Sequence, residues 1–227
     1  MIIYGKQLFL YILQNYPHKL LKVQLSKKCD QKLFNRIKNV CDDVSLVDNK
    51  KAQALSHGGN HQGFIAHITD LDFKEFKEVK NSDFLLILQG ITDVGNIGAI
   101  LRSAYAFGVD AVIISGIKSI NLEAIIRTSS GAAFEMPVVM EPNTLDLINE
   151  LKQTNFKIYG ADVNGKDIKD IKFTSKTALM MGSEGEGIPN KIKSKLDEIV
   201  SIKMAREFDS LNVSAATAIL CDRIFNG

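Results

Sequence analysis

The sequence predicts an α/β protein in two parts: a small mixed module over residues 1–68 and a larger parallel-sheet domain over residues 84–227, joined by a linker over 69–83. Three observations carry this reading. From Phe84 onward, short apolar runs alternate with helical stretches, the pattern of repeated strand–helix units. Two of those runs, Phe84-Leu85-Leu86-Ile87-Leu88 and Ala111-Val112-Ile113-Ile114, have no polar alternation, as strands buried on both faces require. The charge also changes along the chain. Residues 1–68 hold ten Lys and Arg against four Asp, a net of +6, and the remainder holds 18 against 22, a net of −4.

In the first part, Lys6 to Asn15 reads as a helix and Leu20 to Leu25 as a strand. Gln31 to Val40 reads as a helix, with Leu33 and Ile37 four apart on one face. Val44 to Val47 is a short strand, Lys50 to Ser56 a short helix, and Gly58-Gly59-Asn60-His61-Gln62-Gly63 a turn before the strand Phe64 to Ile68. Thr69 to Asp83 is rich in charge (Asp70, Asp72, Lys74, Glu75, Lys77, Glu78, Lys80), which makes it the linker.

In the second part, the strand Phe84 to Leu88 leads to a helix from Asn96 to Phe107. Ala111 to Ile114, Val138 to Met140, Lys157 to Ala161, Thr177 to Met181 and Ile199 to Ile202 read as further strands. Leu122 to Ser129, Thr144 to Gln153, Lys191 to Leu196 and Leu211 to Phe225 read as helices, the last with Ser210 as its N-cap. With 227 residues, 45% of them hydrophobic, the chain has material for one large domain or a small and a medium one.

Composition narrows the function. No apolar run is long enough to cross a membrane, and Met1 to Lys6 lacks the basic and small-residue features of a secretion signal. The cysteines, Cys29, Cys41 and Cys221, are scattered and odd in number, which points to a reducing compartment, a cytoplasmic location and no metal site. All four histidines lie before residue 68, so the second part holds no Ser-His-Asp triad. The basic first part suits a polyanion such as RNA, though a solvated lysine-rich surface has the same composition.

In a parallel sheet, ligands bind beyond the C-terminal strand ends, and three loops there are unusual. Gln89 to Asn96 is small and polar and opens a helix that Asn96 can cap, with Arg102 six residues further on. Arginine suits a multidentate phosphate contact. Met181-Gly182-Ser183-Glu184-Gly185-Glu186-Gly187 has three glycines in six residues, which permits close backbone approach to a ligand. It matches neither the dinucleotide fingerprint nor a Walker loop. The third runs from Lys203 through Asp209 to Ser210-Leu211-Asn212, again a loop entering a helix, whose free amides suit a carbonyl, carboxylate or phosphate. Taken singly, each loop also reads as an ordinary capped helix or a flexible turn.

Together, Asn96-Ile97-Gly98-Ala99-Ile100-Leu101-Arg102, Gly182-Ser183-Glu184-Gly185-Glu186-Gly187 and Ser210-Leu211-Asn212-Val213-Ser214 resemble the motifs of the SpoU (TrmH) family of RNA ribose methyltransferases, of the SPOUT superfamily. The resemblance covers roughly residues 84–227. The first part, with Tyr4-Gly5 and His61-Gln62-Gly63-Phe64, is similar to that of the RlmB-type members, which methylate a guanosine ribose of large-subunit (23S) rRNA. The resemblance implies a SPOUT domain with a C-terminal trefoil knot, preceded by an L30e-like RNA-binding domain. It also implies S-adenosylmethionine as cofactor, RNA as partner and a homodimer. It assigns cofactor contacts to Gly182, Ile202, Leu211, Met204 and Ser210, with Thr128 and Ser129 on the same pocket. Asn96, Arg102, Glu184 and Asn212 become the catalytic or substrate-positioning residues.

Two departures stand out. Asp93 is followed by Val94-Gly95 where the family has Pro, so a less preordered loop is expected. Lys203 and Arg206 take positions usually held by Pro and Gly, which sets a long cation near the pocket, to meet RNA phosphate or to obstruct the cofactor. A tRNA ribose methyltransferase and a non-catalytic RNA-binding or ribosome-assembly protein of the same fold remain the alternative readings.

Overall fold

A computed structural model describes residues 1–206 and 209–227. The chain divides into two compact units, and neither is contiguous in sequence.

The first unit holds residues 1–72 and 122–131. Its strands are β1 (Ile2–Tyr4), β2 (Leu20–Leu25), β3 (Val44–Leu46) and β4 (Phe64–Ile68). Their order is β1-β4-β2-β3, antiparallel except for the β2–β3 pair. Helices α1 (Lys6–Asn15), α2 (Gln31–Lys38) and α3 (Asn49–Leu55) connect them. Local chemistry sets the helix starts: Asp30 and Asp48 each accept a backbone N–H from the first turn of α2 and α3. Leu8, Phe9, Ile12 and Leu13 form one stripe of α1 and are buried. Phe9 stacks on Phe64 with ring centroids 5.1 Å apart.

The second unit holds residues 73–121 and 132–227. It begins with α4 (Phe76–Val79), then β5 (Phe84–Gln89), α5 (Val94–Ala106) and β6 (Ala111–Ser115). Helix α6 (Leu122–Thr128) belongs to the first unit, where Glu123 accepts the Ile2 N–H at 2.9 Å and the Arg127 guanidinium lies 4.5 Å from the centre of the Tyr4 ring. The second unit resumes with β7 (Val138–Glu141), α7 (Thr144–Gln153), β8 (Lys157–Asp167), β9 (Thr177–Gly182), α8 (Asn190–Lys193), β10 (Glu198–Ser201) and α9 (Val213–Asn226). Its six strands form one parallel sheet of order β10-β8-β9-β5-β6-β7. Both faces are dry. Leu85, Ile87, Ile113, Ile158 and Met180 pack with Leu147, Ile148 and Leu151 of α7. The alternating set Leu86, Leu88, Val112, Ile114 and Leu179 is equally inaccessible.

The stretch read as a linker is only partly one. Charge dominates its composition, but Phe76 and Val79, three apart, lie on one face of α4 and join the core of the second unit. Phe76→Ala is therefore expected to lower unfolding free energy by about 3 kcal/mol, measured by urea titration. A solvated tether would lose nothing.

The three thiols are held protonated. Burial pushes Cys221 up to about 12, and burial also raises Cys29 and Cys41. Among the described residues, no group of three or more His, Cys, Asp or Glu side chains is placed to hold a metal ion. No described helix is long and apolar enough to cross a membrane.

Candidate functional site

The sheet order changes direction at β5. From there the chain runs outward through β6 and β7, then returns to build β8 and β9 on the other side. A parallel sheet opens a crevice at such a switch point, beyond the C-terminal strand ends. Gln89 at the end of β5 lies in register with Gly182 at the end of β9, so the first two unusual loops leave the sheet side by side.

The first loop enters α5 in a way the sequence misassigns. Asp93, not Asn96, caps the helix: its Oδ1 accepts the Asn96 N–H at 2.7 Å. Val94 and Gly95, where the family has Pro, fall inside the first turn of the helix. The Asn96 side chain is thereby released from capping. Its Nδ2 donates to Glu184 Oε1 at 3.2 Å.

The last helix shows the same kind of correction. Ser210 is not its cap. Asn212 is, with Oδ1 accepting the N–H groups of Ser214 at 3.0 Å and Ala215 at 3.4 Å. Its amide nitrogen donates twice, to Glu184 Oε1 at 2.8 Å and to Asn96 Oδ1 at 3.0 Å. Asn212 thus uses its acceptor on the helix and both protons on the other two residues, the full inventory of an amide. Asn212→Ala is expected to lower unfolding free energy by about 1 kcal/mol through the lost cap, read by urea titration.

Asn96, Glu184 and Asn212 come from three distant segments and form one hydrogen-bonded cluster. Glu184 keeps its second oxygen as an acceptor. Beside it lies a cleft of about 400 Å³, lined by residues 161–163, 181–187, 200–202, Met204, 209–211 and 213, with Ala216 and Leu220 of α9. That volume falls within the range of about 300–1,000 Å³ typical of small-molecule sites. Gly182, Ile202, Met204, Ser210 and Leu211 all line it. Met181, Val200 and Leu220, all buried, make part of its lining apolar.

Gly182 explains the glycine at its position. A Cβ there would lie 2.2 Å from the Gly187 carbonyl carbon and 2.4 Å from the Ile188 nitrogen, because the loop doubles back on itself. Gly187, at φ +63°, donates its N–H to Ser183 O at 2.9 Å and closes that turn.

The remaining assignments fall elsewhere. Thr128 and Ser129 belong to the first unit, at the end of α6, and their hydroxyls bond helix carbonyls. They are not among the cleft residues. Arg102 is not either. It lies about 9 Å along α5 from Asn96 with an angular separation of about 120° round the helix, and its exposed side chain makes no hydrogen bond or ion pair with a described residue. Lys203 and Arg206 are exposed and line a neighbouring shallow pocket with Val163, Gly165 and Asp167. Glu207 and Phe208, also in the third loop, lie outside the described residues. Sequence reasoning missed Asp162, a cleft residue paired to Lys193 at 2.5 Å. Burial opposes its ionisation, but the Lys193 hydrogen bond and the Asn164 N–H hold its carboxyl below the usual range.

Residues 83–222 match the SpoU rRNA methylase family, and residues 2–74 match the RNA 2′-O ribose methyltransferase substrate-binding family. The 23S rRNA (guanosine-2′-O-)-methyltransferase of Haemophilus ducreyi is 36% identical, over 96% of this chain and 94% of that protein. Its counterpart in Yersinia pestis is 34% identical over the same shares. The AdoMet complex of the SpoU methyltransferase AviRb from Streptomyces viridochromogenes superposes with a TM-score of 0.80, covering 100% of this chain and 89% of that one at 21% identity. At that identity the likeness speaks to the fold. Both parts of the chain, the cluster of motif residues and the full-length relatives agree: this chain belongs to the SpoU rRNA methylase family.

Proposed function

We propose that this chain transfers a methyl group from S-adenosylmethionine to a ribose 2′-hydroxyl of RNA, with a guanosine of 23S rRNA as target. The observation that carries the reading is the joining of Asn96, Glu184 and Asn212 at the rim of a nucleoside-sized cleft. The relatives named as guanosine-2′-O-methyltransferases support the substrate, and the AdoMet-bound family structures support the cofactor.

The cofactor supplies an electrophilic methyl carbon. The chain's own task is to hold it and to present a hydroxyl in line. Gly182, Ile202 and Leu211 offer backbone groups at the cleft wall, and Met204 and Ser210 border it. Asn96, Glu184 and Asn212 position the sugar, since attack needs a near-attack geometry and positioning supplies much of the rate. Arg102 holds an RNA phosphate and stabilises charge developing on the attacking oxygen. As the oxygen–methyl bond forms and S-adenosylhomocysteine leaves, the hydroxyl's proton passes to solvent, since a guanidinium already holds its own near neutral pH.

The same reading takes the first unit as an L30e-like RNA-binding domain and the C-terminal segments of the second as a trefoil knot. The mixed four-stranded sheet and the substrate-binding family match support the first assignment, and the SpoU family match over residues 83–222 supports the second. It takes the protein as a cytoplasmic homodimer joined through α5 and α9, whose exposed Tyr105, Ile219 and Phe225 provide apolar surface.

The test is mass-spectrometric mapping of ribose methylation in rRNA and tRNA from a strain lacking this protein. One guanosine of 23S rRNA is expected to lose its mark and to regain it on complementation. Loss from tRNA instead moves the substrate, and no loss from either overturns the reading.

A further inference from the structure

Four acidic side chains line the cleft: Asp162, Glu184, Glu186 and Asp209. Glu184 is engaged by Asn96 and Asn212, and Glu186 and Asp209 are exposed. Asp162 differs from all of them. Its side chain is only 15% exposed, and it is fixed at both oxygens. Oδ2 accepts from Lys193 Nζ at 2.5 Å, and Oδ1 accepts the Asn164 N–H at 3.1 Å. Lys193 sits at the end of α8 and does not itself line the cleft.

The strand geometry puts Asp162 there. Gly160 pairs with Ile199, and Lys166 pairs with the very next residue of β10, Val200. Residues 161–165 therefore leave the ladder as a five-residue bulge, and Ala161, Asp162 and Val163 become cleft wall. Gly165 returns the chain to the ladder, where a Cβ would lie 2.4 Å from the Val200 carbonyl carbon.

A carboxylate offers about four acceptor sites. With one used on each oxygen, Asp162 retains one on each, side by side. Two adjacent acceptors match two adjacent hydroxyl donors. A single amine would leave one of them unmet in a half-buried place. A cationic ligand group would meet the Lys193 ammonium, which already offsets the charge of Asp162.

We infer that Asp162, anchored by Lys193, is the specificity residue that accepts hydrogen bonds from the vicinal 2′,3′-hydroxyls of the cofactor's own ribose. This rests on the methyltransferase reading. It adds a side-chain contact to a pocket that is otherwise assigned to backbone groups.

The test is calorimetric binding of S-adenosylhomocysteine and of its 2′,3′-dideoxy analogue. The wild-type chain is expected to prefer the diol by about tenfold or more, and Asp162→Asn to reduce that preference to about twofold. A preference unchanged in Asp162→Asn overturns the assignment while leaving the methyltransferase reading standing. Failure of the wild-type chain to bind S-adenosylhomocysteine overturns both. Should circular dichroism show Asp162→Asn unfolded, Lys193→Met replaces it. That variant keeps the carboxylate but frees it, so the preference is expected to fall, and an unchanged preference again overturns the inference.

Discussion

Arg102→Ala is expected to slow single-turnover methyl transfer to RNA by on the order of 10²-fold to 10³-fold, with thermal stability and S-adenosylhomocysteine affinity unchanged. The separation of effects follows from placement. The Arg102 side chain is exposed on α5, makes no hydrogen bond or ion pair with a described residue and stands outside the cleft lining, so neither the core nor the cofactor site depends on it. What remains for it is the RNA. Arg102→Lys divides the contribution further. A planar fork that grips phosphate at two oxygens is not replaced by a point charge, so lysine is expected to recover only a small part of the rate. Recovery to near wild-type turnover would show that charge alone suffices.

Gly182→Ala is expected to be the most disruptive single-methyl change in the second unit. The added carbon would fall within 2.6 Å of three backbone atoms of Gly187 and Ile188, and backbone cannot turn aside as a flexible side chain can. Relieving the overlap means opening the turn that Gly187 closes, which shifts Glu184 at its tip and the wall of the cleft together. An expected loss of about 3 kcal/mol or more in unfolding free energy accompanies loss of measurable cofactor binding. Denaturant titration reads the first and calorimetry the second. Retention of wild-type binding would show that the loop is looser than its contacts state.

The regular elements were legible where a single local rule decides them. The helix Lys6–Asn15, the strands Leu20–Leu25 and Phe64–Ile68, and the helix Thr144–Gln153 occur over the residues read for them, because one apolar pattern with clear punctuation specifies each. Ambiguity entered where two residues of one chemical type compete. Ser210 and Asn212 are both good caps, as are Asp93 and Asn96. In each pair the structure chooses the one whose choice lets the Asn96, Glu184 and Asn212 side chains meet, and that meeting is a tertiary fact. Strand β8 runs to Asp167 rather than stopping at Ala161, because Val163-Asn164-Gly165 has the composition of a turn but forms a bulge. Asp162 was overlooked for the same reason. Its partner Lys193 lies 31 residues away, and no spacing rule connects them. Thr128 and Ser129 follow a helix at the expected place in the sequence, but that helix belongs to the other unit.

The membership of α6 in the first unit bears on how the chain is made. When residues 1–72 have left the ribosome, all four strands of that unit exist, but Glu123 and Arg127 do not yet. Ile2 and Tyr4 must wait for partners that arrive some 120 residues later, after four elements of the second unit (α4, β5, α5 and β6) have already been synthesised. The amino-terminal part is thus finished late, and a fragment ending at residue 72 is expected to be a poorer folder than its four complete strands would imply.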